Sequence, residues 1–127
     1  MLISKKSINE RRKDPRLDSN LPLKIHHDNG DIVTETGNIS RSGSYCKVSE
    51  YIEPMTKLKI CFLLPLKKEG KSVNKKINCE GVVVRSEPSA EEGLYNIAIF
   101  FNNISQRDAE AISDFINPSL EYKPSSN

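Results

Sequence analysis

Leu21, Leu23 and Ile25 alternate with Pro22, Lys24 and His26, a period of two that marks a strand with one buried face and one wet face. Pro22 has no backbone N–H to donate, so it fits only near the start of such a strand or at an edge. Asp28, Asn29, Gly30 and Asp31 follow. Asn-Gly tolerates positive φ at both central turn positions and predicts a tight hairpin into a second strand over residues 32–39. A turn at 40–43 leads to a short strand at 44–48, then a loop containing Pro54. Leu58, Ile60, Phe62 and Leu64 share one face, with Lys57 and Lys59 on the other, and predict a strand at 57–64. Residues 65–76 are lysine-rich with Gly70 and read as an exposed hairpin connection of variable length. Ile77 and Cys79 then face inward with Val82 and Val84, a phase slip that predicts a β-bulge at Gly81. A polar loop at 86–93 precedes a strand at 94–101, where Tyr95, Ile97, Ile99 and Phe101 alternate.

One segment reads as a helix. Ser105 with Asp108 three residues later resembles a capping box, Ala109, Ile112, Phe115 and Ile116 recur at helical spacing, and Pro118 stops the run. Five or six short strands and a terminal amphipathic helix predict an all-β barrel with the helix closing one side. A chain of 127 residues holds one core, and 36% hydrophobic against 28% charged residues suits a thin barrel with a well-solvated surface. The expected organisation is a flexible basic arm at 1–19, the barrel and helix at 20–118, and a disordered tail at 119–127.

Charge is unevenly placed. The net charge is +2, but Lys5, Lys6, Arg11, Arg12, Lys13 and Arg16 against Glu10 and Asp14 make the first sixteen residues +4 and the remainder −2. That asymmetry predicts an anionic partner at the arm. Cys46, Cys61 and Cys79 are odd in number and far apart, which argues against a disulfide framework or a zinc site and for reduced, buried thiols. Without a signal-peptide pattern or a long apolar run, the chain is expected to be cytoplasmic and not inserted in a membrane. Adjacent His26 and His27 point to opposite faces of a strand and do not share a metal. No nucleophile, acid and base constellation is recognisable, so neither catalysis nor a bound cofactor is expected.

The residues that carry chemistry form two groups. Arg12 and Arg16 are four apart in Arg12-Lys13-Asp14-Pro15-Arg16, with Arg11 beside them. Pro15 disfavours a regular helix through both. A guanidinium pairs bidentately with phosphate oxygens or with the O6/N7 edge of guanine, and it also stacks on a purine. Further on, Asn38-Ile39-Ser40-Arg41-Ser42-Gly43 places a polar turn at a strand end, where Asn and Ser satisfy local backbone groups and glycine accepts positive φ.

These two groups, in this order, resemble the signature of the PilZ domain family, Arg-x-x-x-Arg followed by Asp/Asn-x-Ser-x-x-Gly, over roughly residues 8–118. The resemblance implies a six-stranded antiparallel barrel with a C-terminal helix and a receptor for cyclic di-GMP. It also implies that Arg12 and Arg16, with Arg11 adding charge, wrap the ligand against a surface formed by Asn38, Ser40 and Gly43. Binding would order the arm and present a changed surface to a downstream bacterial protein in motility, adhesion or exopolysaccharide production. The competing expectation is a degenerate PilZ-like module that works through protein contacts without the nucleotide. Single-stranded nucleic acid is a poorer fit, since such surfaces rely on aromatic platforms and aromatics are 6% with no tryptophan.

Overall fold

The computed structural model describes residues 16–28 and 30–117. Its elements are β1 (Leu17–Asp18), β2 (Pro22–His27), β3 (Gly30–Ser40), β4 (Gly43–Val48), β5 (Lys57–Lys68), β6 (Lys71–Pro88), β7 (Tyr95–Asn103) and helix α1 (Gln106–Ile116). Six strands close a ring in the order β3, β2, β5, β6, β7, β4 and back to β3, all antiparallel, while β1 adds to β3. The protein is thus an all-β barrel with a terminal helix, as the alternation predicts, and its ring has the six antiparallel strands that the family resemblance implies. Closure leaves few unpaired edges, which is how a small all-β chain avoids edge-to-edge association.

Inward positions fill one core. Leu23, Ile25, Ile39, Ile60, Phe62, Leu64, Ile77, Val83 and Ile97 are all essentially inaccessible. Phe62 stacks on Phe101 with ring centroids 6.2 Å apart. Helix α1 starts where Ser105 accepts a hydrogen bond from the Asp108 N–H at 3.1 Å, and it packs on β3 and β5 through buried Ala109 and Ile112. Lys75 to Asp108 (3.5 Å) and Arg41 to Ser113 (3.5 Å) tie it to the barrel from two sides.

One expectation sharpens and two change. Residues 65–76 are the expected hairpin connection, and it is paired throughout. They carry β5 and β6 outward as a paired hairpin from Leu63↔Lys76 to Lys68↔Lys71, turned by Glu69 (φ 52°) and Gly70 (φ 79°). Positive φ at both central residues is the twist-matched hairpin turn. Pro65 is tolerated because β5 has by then left its pairing with β2, which ends at Leu23↔Phe62.

The inward set on β6 also differs, and there is no phase slip at Gly81. Ile77, Cys79, Gly81 and Val83 are buried in unbroken alternation, whereas Val84 is 53% exposed. A Cβ at Gly81 would come within 2.6 Å of Ile99 Cγ2 and 2.8 Å of Ile60 Cδ1, so glycine stands there because its neighbours already fill the space. The pairing with β7 is irregular at Gly81, but the extra residue there is on β7, since Glu80↔Asn103 is followed by Val82↔Phe100; the bulge on β6 itself comes later. Val83↔Ile99 is followed by Arg85↔Ala98, leaving Val84 as the extra residue.

The sheet, finally, begins earlier than the alternation suggests. Leu17 and Asp18, within the segment expected to be a flexible arm, pair with Ile39 and Asn38. Residues 1–15 of that arm, Pro118 and the expected tail lie outside the described residues.

Candidate ligand-binding site

Strand β1 is short, but its register decides the site. Leu17↔Ile39 and Asp18↔Asn38 lay the chain alongside the end of β3, so Arg16 emerges next to Asn38. The Arg16 Nη1 donates to Asn38 Oδ1 at 3.0 Å, joining residues 22 apart in sequence. The segment between β1 and β2 is pinned as well. Ser19 N–H donates to Gly37 O (3.2 Å), and buried Thr36 accepts from Leu21 N–H through its hydroxyl (3.0 Å). On the other edge of β3, Thr36↔Cys46 is followed by Asn38↔Tyr45, so Gly37 is an extra residue that re-aims Asn38. The backbone of Asn38 is fixed by the Ser44 hydroxyl, which donates to its carbonyl at 2.9 Å.

Ser40 and Gly43 occupy the corner between β3 and β4, in roles set by packing. The Ser40 side chain is fully buried, and its hydroxyl accepts from Ser42 N–H (3.2 Å) and donates to Gly43 O (3.4 Å). It holds the turn and does not line the concavity beside it. Gly43 has no positive φ, contrary to the turn chemistry the sequence suggests. A Cβ there would collide with the Ile99 carbonyl oxygen, with the Ile99 carbonyl carbon at 3.4 Å and Phe100 Cα at 3.5 Å. Glycine lets β4 lie against β7, and Ser42 O accepts from Phe101 N–H at 2.8 Å to lock the corner.

Outside this corner lies a cavity of about 450 Å³ with Arg16, Asn38 and Gly43 in its lining. The sequence reading missed Tyr45, Val84, Arg85 and Phe100, which complete it. None of its lining residues is acidic, and it holds two guanidiniums. Three other concavities of similar size each include an acidic side chain, Asp28 and Glu80 in one, Glu35 and Glu80 in the others. Only the cavity at the motif residues combines two cations with no opposing carboxylate in its lining, so among these four it is the one suited to an anion. Arg11 and Arg12 lie outside the described residues.

The thiols take no part. Burial pushes Cys46 up to about 12, and burial, then the charges of Asp108, Cys61 and Glu80, pushes Cys79 up to about 12 as well. Both stay protonated near neutral pH and act as small apolar core groups. His26 pairs with Asp31 at 2.7 Å, and His27 lies 3.7 Å from Glu50, on the other side of the strand.

The described residues thus form a closed six-stranded barrel with a terminal helix and an arginine–asparagine pair at a glycine corner. The sequence matches the family model of the PilZ domain over residues 10–117. The chain belongs to the PilZ domain family, whose members are cyclic di-GMP-binding receptor and adaptor modules. Among solved structures it is similar to the Bacillus subtilis inhibitor of motility (MotI/DgrA), with a TM-score of 0.74 and 23% identity. That match covers 87% of this chain and 52% of the other, so the chain spans about half the length of its structural neighbour. The likeness is one of fold. No curated protein matches the chain significantly. No helix among the described residues is long and apolar enough to cross a membrane.

Proposed function

We propose that this chain is a cyclic di-GMP receptor without catalytic activity, acting in the bacterial cytoplasm. The observation that carries the reading is the 3.0 Å bond from Arg16 to Asn38 at the rim of an acid-free cavity. It unites the two halves of the signature at one place on the barrel. Arg16 approaches from β1 and Asn38 from β3, and a phosphate entering between them exchanges a neutral amide acceptor for a charged one, which a guanidinium binds more strongly.

Arg12 belongs to the same site by chain reach alone. Four residues span at most about 14 Å, so Arg12 is never far from the anchored Arg16. An arm tethered at β1 and closing over the cavity brings Arg12, with Arg11 beside it, onto the exposed side of the ligand. Ordering of this arm supplies the signal, because it changes the surface offered to a downstream protein. Control of motility is one candidate output, in keeping with the name of the structural neighbour. Adhesion and exopolysaccharide production are the others that the family suggests.

Titration calorimetry with cyclic di-GMP, cyclic di-AMP, GTP and a short oligonucleotide tests the reading. Saturation by cyclic di-GMP alone is expected, with Arg12→Ala and Arg16→Ala each weakening it at least tenfold. Unchanged affinity in both variants removes the site, and saturation by none of the four leaves the degenerate interaction module in its place.

A further inference from the structure

The signature residues account for only one side of the cavity. On the opposite side, the pairing register places a row of residues directly across from one another: Asn38↔Tyr45, Tyr45↔Ala98 and Ala98↔Arg85. Residues directly opposite in a sheet share a face. This face is the outer one, since the strand neighbours Cys46, Ile97 and Ile99 point into the core. Ala98 is therefore a low point between two large side chains. Phe100, two residues along on the same face of β7, is 47% exposed, although a ring of that size ordinarily gains by burial. The bulge at Val84 re-aims β6 here, and Arg85 lines the same cavity as Arg16 from the other wall. Among the described residues the Arg85 side chain makes no hydrogen bond or ion pair, whereas Lys24, Lys47 and Lys75 each meet a carboxylate.

We propose that Arg85 and Phe100 are ligand-binding residues that form the barrel-side half of this site, a purine platform with its own phosphate-pairing cation. The inference rests on the cyclic dinucleotide reading above and extends it to residues outside the signature. Cyclic di-GMP is two-fold symmetric, with two phosphates and two purines. Cations on opposite walls match its two phosphates, Arg16 serving one and Arg85 the other. Ala98 leaves room for a flat base, and the exposed Phe100 ring supplies a surface on which a purine stacks. Val84, also exposed, extends that apolar floor.

Calorimetry on the full chain tests this with cyclic di-GMP and, as a ligand with one base and one phosphate group, 5′-GMP. Arg85→Ala is expected to weaken cyclic di-GMP about tenfold and to flatten the salt dependence of its affinity, as loss of a phosphate contact requires. Arg85→Lys, which keeps the charge without the planar fork, restores part of the affinity and the salt dependence. Phe100→Ala is expected to cost about tenfold with the salt dependence unchanged. The preference for cyclic di-GMP over 5′-GMP falls in both alanine variants. Both side chains are exposed, so melting followed by circular dichroism should match the parent chain. If both variants bind as the parent does while Arg16→Ala abolishes binding, the inference fails and the cyclic di-GMP reading stands. A parent chain that does not bind cyclic di-GMP overturns both.

Discussion

Replacing Gly43 by alanine separates two accounts of a signature residue. If the glycine exists to let a ligand approach the backbone, an alanine there leaves the unliganded barrel intact and lowers only affinity. The structure points the other way. The new Cβ would run into the Ile99 carbonyl oxygen, which is backbone and cannot rotate aside. Neither strand is free to retreat, because β4 is held to β3 by Ser40↔Gly43 and to β7 by Gly43↔Phe100, with Ser42 O bonded to Phe101 N–H at 2.8 Å. Overpacking of this kind typically costs about 1–3 kcal/mol, and a rigid backbone obstacle places Gly43→Ala toward the upper end. For a barrel of this size each kcal/mol lowers the melting temperature by roughly 4–8 °C, so a drop of about 8–20 °C is expected without any ligand present. The chain has no tryptophan, so far-ultraviolet circular dichroism is the appropriate probe, with urea unfolding as a second measure. A variant that melts with the parent chain and has lost only nucleotide binding would refute the steric account and return Gly43 to the ligand.

Asn38→Ala removes the Arg16 acceptor at a half-buried rim position, so it should weaken cyclic di-GMP severalfold while shifting the melting temperature by only a few degrees, as calorimetry and circular dichroism will show. Ile112→Ala, at the fully buried centre of α1, should cost about 2–5 kcal/mol in urea unfolding and release the helix from β3 and β5. Cys46 and Cys79 are raised from 9.0 to about 12, so above pH 9 the unfolded chain sheds protons that the folded chain keeps, and stability should fall progressively between pH 9 and about 12. Thermal melts of the parent and of a Cys46→Ala variant across that window check the sign, since the variant should decline less steeply. Inserting two glycines between Arg16 and Leu17 keeps the β1 register and frees the arginine from it, so melting should be unchanged while binding weakens.

The runs Leu21-Leu23-Ile25, Leu58 to Leu64 and Tyr95 to Phe101 were legible because alternation reports burial locally, residue by residue. Elsewhere the determining contact is remote. Glycine carries no hydrophobic signal, so Gly81 hid the inward phase of β6 and drew Val82 and Val84 into the wrong set; Ile60 and Ile99, on neighbouring strands, decide it. The outer hairpin was read only as a connection, without its long strand pairing, because residues 65–76 bury almost nothing, and Glu69-Gly70 is a weaker turn signal than Asn-Gly. Strand β1 is two residues long and has no period to read. In the site, Asn38 and Arg16 were found through their motif. Tyr45, Arg85 and Phe100 belong to strands far apart in sequence, and only the register brings them to one face.

The two halves of the signature consequently carry unequal weight as evidence of binding. Ser40 is buried in its own turn and Gly43 is demanded by the Ile99 carbonyl, so a barrel of this topology needs both even with nothing bound. Asn38, half-buried and bonded through its side chain to Arg16, is the member of that half which reaches the cavity. Arg16 is exposed at the rim, and removing its charge leaves every core contact of the barrel in place. The spacing of Arg12 and Arg16 in the sequence, and a cavity beside Arg16 with no acidic side chain in its lining, are therefore the observations on which the receptor proposal rests.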